Sequence, residues 1–216
     1  MWYRSFAMLA LIAPTLLAAQ TPQPAFPDSG TFVVLHGADT VVVETFSRSD
    51  TQVNGMLVNR AAEGRRERFQ GTLIPDGTLP LVNFWAWRGD DGMDTRARQM
   101  GRVIFKGDSA AVDELSSGAM GTRLFQTDSG AVPYLNLSFA MLEQATRRAV
   151  IIGGDTTTVY LFSLNGGQTA PAKVTRFARD SVTLALGSVT FRLWVDSVGR
   201  LLGGGIPDQD LKVVRR

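Results

Sequence analysis

The 216-residue chain has no cysteine and a single histidine, His36. Without thiols it can form neither a disulfide framework, nor a thiolate zinc site, nor a cysteine nucleophile. One imidazole cannot build a histidine metal centre. A Ser-His-Asp arrangement would have to use His36, which ends a β-rich run, and no G-x-S-x-G elbow accompanies it. An excess of one charge is also missing: 22 basic residues face 20 acidic ones, a formal net charge of +2. That is not the basic stripe a nucleic-acid backbone requires. What the chain does have is apolar residues, 44% of the total, enough to bury a substantial core.

The apolar residues begin with an address. Arg4 precedes an apolar run from Phe6 to Ala19 that contains Pro14 and Thr15. A secretory h-region spans about 7–15 residues, whereas a membrane-spanning helix needs about 20. The run fits the first, with cleavage after Ala18 or Ala19; an uncleaved anchor is the alternative. Nineteen arginines against three lysines fit a GC-rich bacterial genome. The expected product is periplasmic, with 1–19 a signal peptide, 20–30 a Pro-rich linker and 31–216 one antiparallel β domain.

Within that domain the runs are short and β-rich. Phe32 to His36 and Val41 to Arg48 make a hairpin about Gly37–Thr40. Phe69, Gly71 and Leu73 alternate with polar neighbours up to Pro75-Asp76-Gly77. Leu81 to Trp87 is apolar on both sides, which predicts a strand covered on both faces. Val182, Leu184 and Leu186 share one face of a strand, as do Phe191, Leu193 and Val195 of the next. One segment departs from period two: Leu135, Phe139, Leu142 and Ala145 recur at helical spacing. Asn136 is placed to cap it, and Gly153-Gly154 to end it. The fold class is mainly β: an antiparallel curled sheet or incomplete barrel of some eleven strands with one packed α-helix laid on it.

Chemistry-bearing residues are sparse. Asp90, Asp91 and Asp94 share a loop, but their spacing is not that of a calcium-binding EF-hand, and a solvated loop is expected. Glu44 shares a strand face with Val42 and Phe46, so it lies at a sheet edge or pairs with an arginine. Arg60, Arg65, Arg66 and Arg68 crowd one turn with Glu63 and Glu67 between them, a mixed and solvated tip. Arg88-Gly89-Asp90 and the sequon Asn136-Leu137-Ser138 read as chance matches in a bacterial periplasmic chain. The feature least explained by a closed core is Trp85 and Trp87 on a strand whose other face is also apolar. Aromatic surplus of this kind can line a cavity for an apolar ligand.

Phe32-x-Val34, Gly37, Val41–Val43, Glu44 and Phe46, together with the tail from Phe191 to Leu202 and Pro207, resemble the opening and closing hairpins of bacterial periplasmic domains of unknown function. Through them the chain resembles the lipoprotein-localisation carriers, the LolA/LolB-like fold. That resemblance implies a curved antiparallel sheet closed by a helix over an apolar cavity; no ligand-contacting residue of the carriers transfers position by position.

The sequence therefore points to an exported, non-catalytic binding or carrier protein for a lipid or acyl chain. Phe32, Val34, Trp85, Trp87, Phe139 and Leu142 are the residues expected to line or plug its cavity. An aliphatic chain entering such a cavity gains about 0.8 kcal/mol per buried CH₂. No cofactor, metal or nucleic acid is expected, and membrane contact would be peripheral. An accessory subunit of a cell-envelope assembly, anchored by Trp85, Trp87 or Trp194, is the alternative. A carboxylate-dependent hydrolase using Glu44 or the Asp90 loop ranks third.

Overall fold

Period-two alternation becomes strand along most of the chain. The computed structural model describes residues 28–92, 95–116 and 118–216. The expected export signal and the expected linker up to residue 27 lie outside the described residues, as does Asp94. Asp28–Gly30, read from sequence as linker, instead opens the first strand.

Strands β1 (Asp28–His36), β2 (Asp39–Arg48), β3 (Gln52–Asn59), β4 (Arg65–Thr72), β5 (Leu81–Trp87), β6 (Gln99–Lys106), β7 (Ser109–Ser116) and β8 (Ala119–Gln126) form one antiparallel meander. A short β9 (Val132–Tyr134) and the helix α1 (Phe139–Ile152) follow. Strands β10 (Thr156–Ser163), β11 (Thr169–Ala178), β12 (Ser181–Leu186), β13 (Val189–Val195), β14 (Leu201–Ile206) and β15 (Leu211–Arg215) make a second meander. The two are spliced where β1 pairs with β15, from Phe32 opposite Arg215 to His36 opposite Leu211. β9 pairs with β10 in parallel, and α1 supplies the crossover that a parallel pair needs. The result is one sheet of fifteen strands, four more than the alternation suggested, with β8 and β9 as its two unjoined edges.

The sheet curls around α1. Eight consecutive helical residues, Phe139 to Thr146, are buried. A helix lying on a sheet buries only a stripe, so this one is surrounded, which corrects the expectation of a helix laid on one face. Its cap also differs. Leu137 has a left-handed backbone (φ 61°), and the helix starts after it, with the Ser138 hydroxyl rather than Asn136 accepting from the Met141 amide. Gly153 ends it with φ 86°, as the Gly-Gly pair predicted.

The core is aromatic at its centre. Phe32 stacks on Phe46 at 5.0 Å between ring centroids, and Phe139 packs 6.2 Å from Phe32 and 6.3 Å from Phe191. Bare backbone makes room for such rings: a Cβ on Gly55 would lie 2.3 Å from the Phe69 ring. On β5 the inner residues Val82, Phe84 and Ala86 are buried, while the outer Leu81, Asn83 and Trp85 are only half-buried. The expectation that both faces of this strand are covered is therefore not met among the described residues. Among the described residues the outer face is covered by a loop only at Trp87, and Trp85 lies beneath the Arg68 guanidinium, 5.5 Å from the ring centroid.

Truncating the interior should be costly. Leu142→Ala is expected to lose about 3 kcal/mol in urea unfolding, whereas Leu124→Ala, on an edge side chain that is 79% exposed, should stay within about 0.5 kcal/mol.

Candidate functional site

Placing a helix inside a sheet forces its polar groups to find partners within the protein. At the N-terminus that partner is Glu44, which β2 aims inward together with Phe46 and Arg48. One Glu44 carboxylate oxygen accepts from the backbone amides of Phe139 (2.7 Å) and Ala140 (2.9 Å), and the other accepts from the Ser138 hydroxyl (2.5 Å). Glu44 thus sits neither at a sheet edge nor in an ion pair; it neutralises the positive end of the helix dipole. Complete burial pushes its carboxyl up to about 7, with nearby Glu143 adding to the rise, while the three hydrogen bonds hold it down.

One turn further along, Glu143 is also fully buried. One of its oxygens meets Arg147 Nε at 2.9 Å and Arg48 Nε at 3.3 Å; the other accepts from Arg215 Nη1 (2.9 Å) and the Leu201 amide (3.0 Å). Asp28 extends the network to Arg215 (2.5 Å), Arg200 (2.9 Å) and Arg147 (3.5 Å). Arg48 donates to the side-chain oxygen of Gln144 and to the Ala140 carbonyl (3.1 Å). Burial draws the Arg48 guanidinium down to about 10, against the attraction of Glu143. Arg215 also lies over the Phe46 and Phe32 rings, at 4.8 and 5.5 Å. Four guanidinium groups therefore surround two carboxylates, and the cluster keeps a positive excess.

Two of the four guanidinium groups, Arg48 and Arg147, border an open groove, where Asp28 and Asp50 also stand. A space of about 520 Å³ lies between Arg48–Asp50, the β4–β5 connection, the outer turns of α1 and Val198. Its walls are apolar: Leu73, Ile74, Pro75, Val150, Ile151 and Val198. Its polar groups are Arg48, Arg147, Gln144, Ser49, Asp28 and Asp50. Ile74, Ile151 and Val198 are exposed, which is unusual for branched aliphatics clustered in one hollow. Such a site can hold an apolar body and set a guanidinium against an anionic end.

The residues expected from sequence to line a cavity are placed otherwise. Phe32, Val34, Phe139 and Leu142 are at most 1% exposed and pack on one another in the core that fills the curl. Trp87 is buried beneath the loop that follows it and donates its indole N–H to the Thr95 carbonyl (3.1 Å). Each of Trp85 and Trp87 borders a surface hollow rather than the interior: Trp85 one of about 520 Å³ on the outer sheet face with Met100 and Met120, and Trp87 one of about 600 Å³ with Arg65, Arg88 and Arg98. Trp194 is 52% exposed. His36 is exposed at the end of β1. Asp91 is engaged by Arg98 through two hydrogen bonds (2.8 and 2.9 Å), which hold its carboxyl at about 2. The network was missed because Asp28 and Arg215 lie 187 residues apart. The legible signal was Glu143 and Arg147 spaced i, i+4 beside the helical apolar stripe.

The Glu44 carboxyl makes a signed prediction. The folded protein holds this proton more tightly than the unfolded chain, whose ordinary value is 4.5. The resulting stabilisation is complete below pH 4.5 and is lost as pH rises to about 7. Glu44→Gln keeps an acceptor for the two helix amides but cannot titrate. The stability difference, wild type minus variant, should therefore fall across that pH window in calorimetry; a constant difference would contradict the assignment. Glu44→Ala, which orphans three donors, should cost about 3 kcal/mol at pH 5.

No protein-family model matches the chain, and no curated protein matches it. Among solved structures it is similar to a DUF1089 family protein from Pseudomonas aeruginosa, with a TM-score of 0.56 and 14% identity over 76% of this chain and 89% of that one. A β-barrel-like protein of the domain of unknown function DUF1849 from Brucella abortus aligns over 88% of this chain and 94% of that one, at 11% identity and a TM-score of 0.48. The link to the lipoprotein-localisation carriers stays with the sequence resemblance. What the likeness establishes is a curled-sheet fold shared with a domain of unknown function.

Proposed function

We propose that the protein is an exported, non-catalytic binding protein for an amphipathic ligand, an acyl chain or lipid with an anionic head. The observation that carries this reading is the groove beside α1, where six aliphatic and proline side chains adjoin the guanidinium groups of Arg48 and Arg147. The interior of the curl is filled, so cargo lies at the rim of the helix. The apolar wall removes hydrocarbon from water at about 0.8 kcal/mol per CH₂. Arg147, whose side chain is 21% exposed, is the cation best placed to meet a carboxylate or phosphate. Among the described residues no helix is long and apolar enough to cross a membrane, and the periplasmic assignment rests on the residue 1–19 signal.

Oleate titrated by calorimetry should bind one per groove, and dodecylamine, whose head repels the guanidinium groups, should bind more weakly. Ile151→Asp and Val198→Asp place a charge on exposed walls. Each should weaken oleate by about tenfold or more, equivalent to about 1.4 kcal/mol, with no change in melting temperature. Unaltered affinity in both variants would overturn the reading.

A further inference from the structure

Among the described residues, the edge strand β8 has little of what protects sheet edges elsewhere. Natural edge strands are kept short, carry charge or proline, bulge or are covered; of these β8 has a single charge, Arg123, paired with Glu114. The opposite edge, β9, follows the rule: it has three residues, contains Pro133, and buries Val132 and Pro133. β8 has eight residues and no proline, and it pairs with β7 from Ser109–Gln126 to Ser116–Ala119 without a register shift. Its first six residues are exposed, Met120 by 70% and Leu124 by 79%.

Register fixes which backbone groups are free. The Thr127 amide donates to the Asp108 carbonyl, so odd-numbered positions turn their hydrogen-bonding groups toward β7. By alternation, Met120, Thr122 and Leu124 present theirs outward. The same three side chains lie on the outer sheet face. Cross-strand pairing puts Met120 at the end of an apolar row, Trp85–Met100–Leu115–Met120. Leu124 ends another, Leu81–Ile104–Ala111–Leu124, and Thr122 ends the polar row Asn83–Arg102–Asp113–Thr122 between them.

We infer that β8 pairs antiparallel with β8 of a second copy of this chain, about a two-fold axis at Thr122. That register sets Met120 opposite Leu124 of the second copy and Thr122 opposite Thr122, all in positions whose free amides and carbonyls face one another. Each apolar row then runs on into the apolar row of the other copy, and the polar rows meet at the axis. Arg123, the strand's one charge, falls opposite Gly121 of the second copy rather than opposite another arginine, and it is already neutralised by Glu114 at 2.8 Å. An edge that is self-complementary in hydrogen bonding, polarity and charge is the pattern of an isologous interface.

The protein has no cysteine, so a single introduced thiol reports this geometry cleanly. Thr122→Cys should cross-link to a covalent dimer under mild oxidation, since directly opposed strand residues lie about 5.5 Å apart, within disulfide range. Val198→Cys, exposed on a distant turn, should not. Native mass spectrometry of the wild type at about 100 μM should show twice the monomer mass. Leu124→Pro removes an outward amide that β7 does not use, and should be monomeric with its fold retained. If Leu124→Pro fails to fold, the two thiol variants decide alone. A monomeric wild type, a Leu124→Pro dimer, or equal cross-linking of both thiols overturns the proposal.

Discussion

The structure depends on satisfying a helix that has no solvent to turn to. α1 is surrounded for more than two turns, so its N-terminal amides, Glu143 and Gln144 must all be satisfied by the sheet. β2 does much of this from one face. Glu44, Phe46 and Arg48 point inward in succession: Glu44 takes the helix amides, Phe46 stacks in the core, and Arg48 meets Glu143, Gln144 and the Ala140 carbonyl. Burying these charges costs desolvation that Coulomb attraction alone does not return. What the arrangement provides is a single seating for the helix, because rotation or sliding would leave a buried charge unpaired.

The same network ties the two ends of the described chain together. Asp28 opens β1 and Arg215 closes β15, and both meet Arg147 or Glu143 of the helix. The β1–β15 splice is therefore secured from inside by the element it encloses. Arg215 serves in two environments at once, its planar face over Phe46 and its edge toward Glu143 and Asp28. These contacts span nearly the whole described chain, so the sheet is joined by its most non-local pairing, an order of contact that slows folding.

The sequence revealed local period but not enclosure. Alternation located β4, β12 and β13 because each buries one face, β-rich composition located β1, β2 and β5, and Gly153 marked the helix end because only a residue without Cβ tolerates φ 86° cheaply. β9 and β15 were missed: three residues are too few to show a period, and Leu211–Arg215 mixes charge with its buried Val213. Phe139 and Leu142 were recognised as apolar and important, yet no periodicity tells a side chain that lines a hollow from one that fills it. The groove beside α1 was illegible for a related reason. Leu73, Ile151 and Val198 come from three separate segments, and nothing local marks them as neighbours.

Why the sheet stays open follows from the same enclosed helix. Closing a barrel requires the last strand to meet the first over comparable length and in a register set by tilt and shear. Here the strand that would meet β8 is β9, and it has three residues against eight. β9 is short because the chain must turn inward after Tyr134 to deliver Ser138 to Glu44. Extending β9 past Tyr134 would consume the residues that cap the helix. Its middle residue, Pro133, also has no amide to offer. The helix that Glu44 seats thus limits β9 at its C-terminal end, and β8 is left without a second strand partner among the described residues.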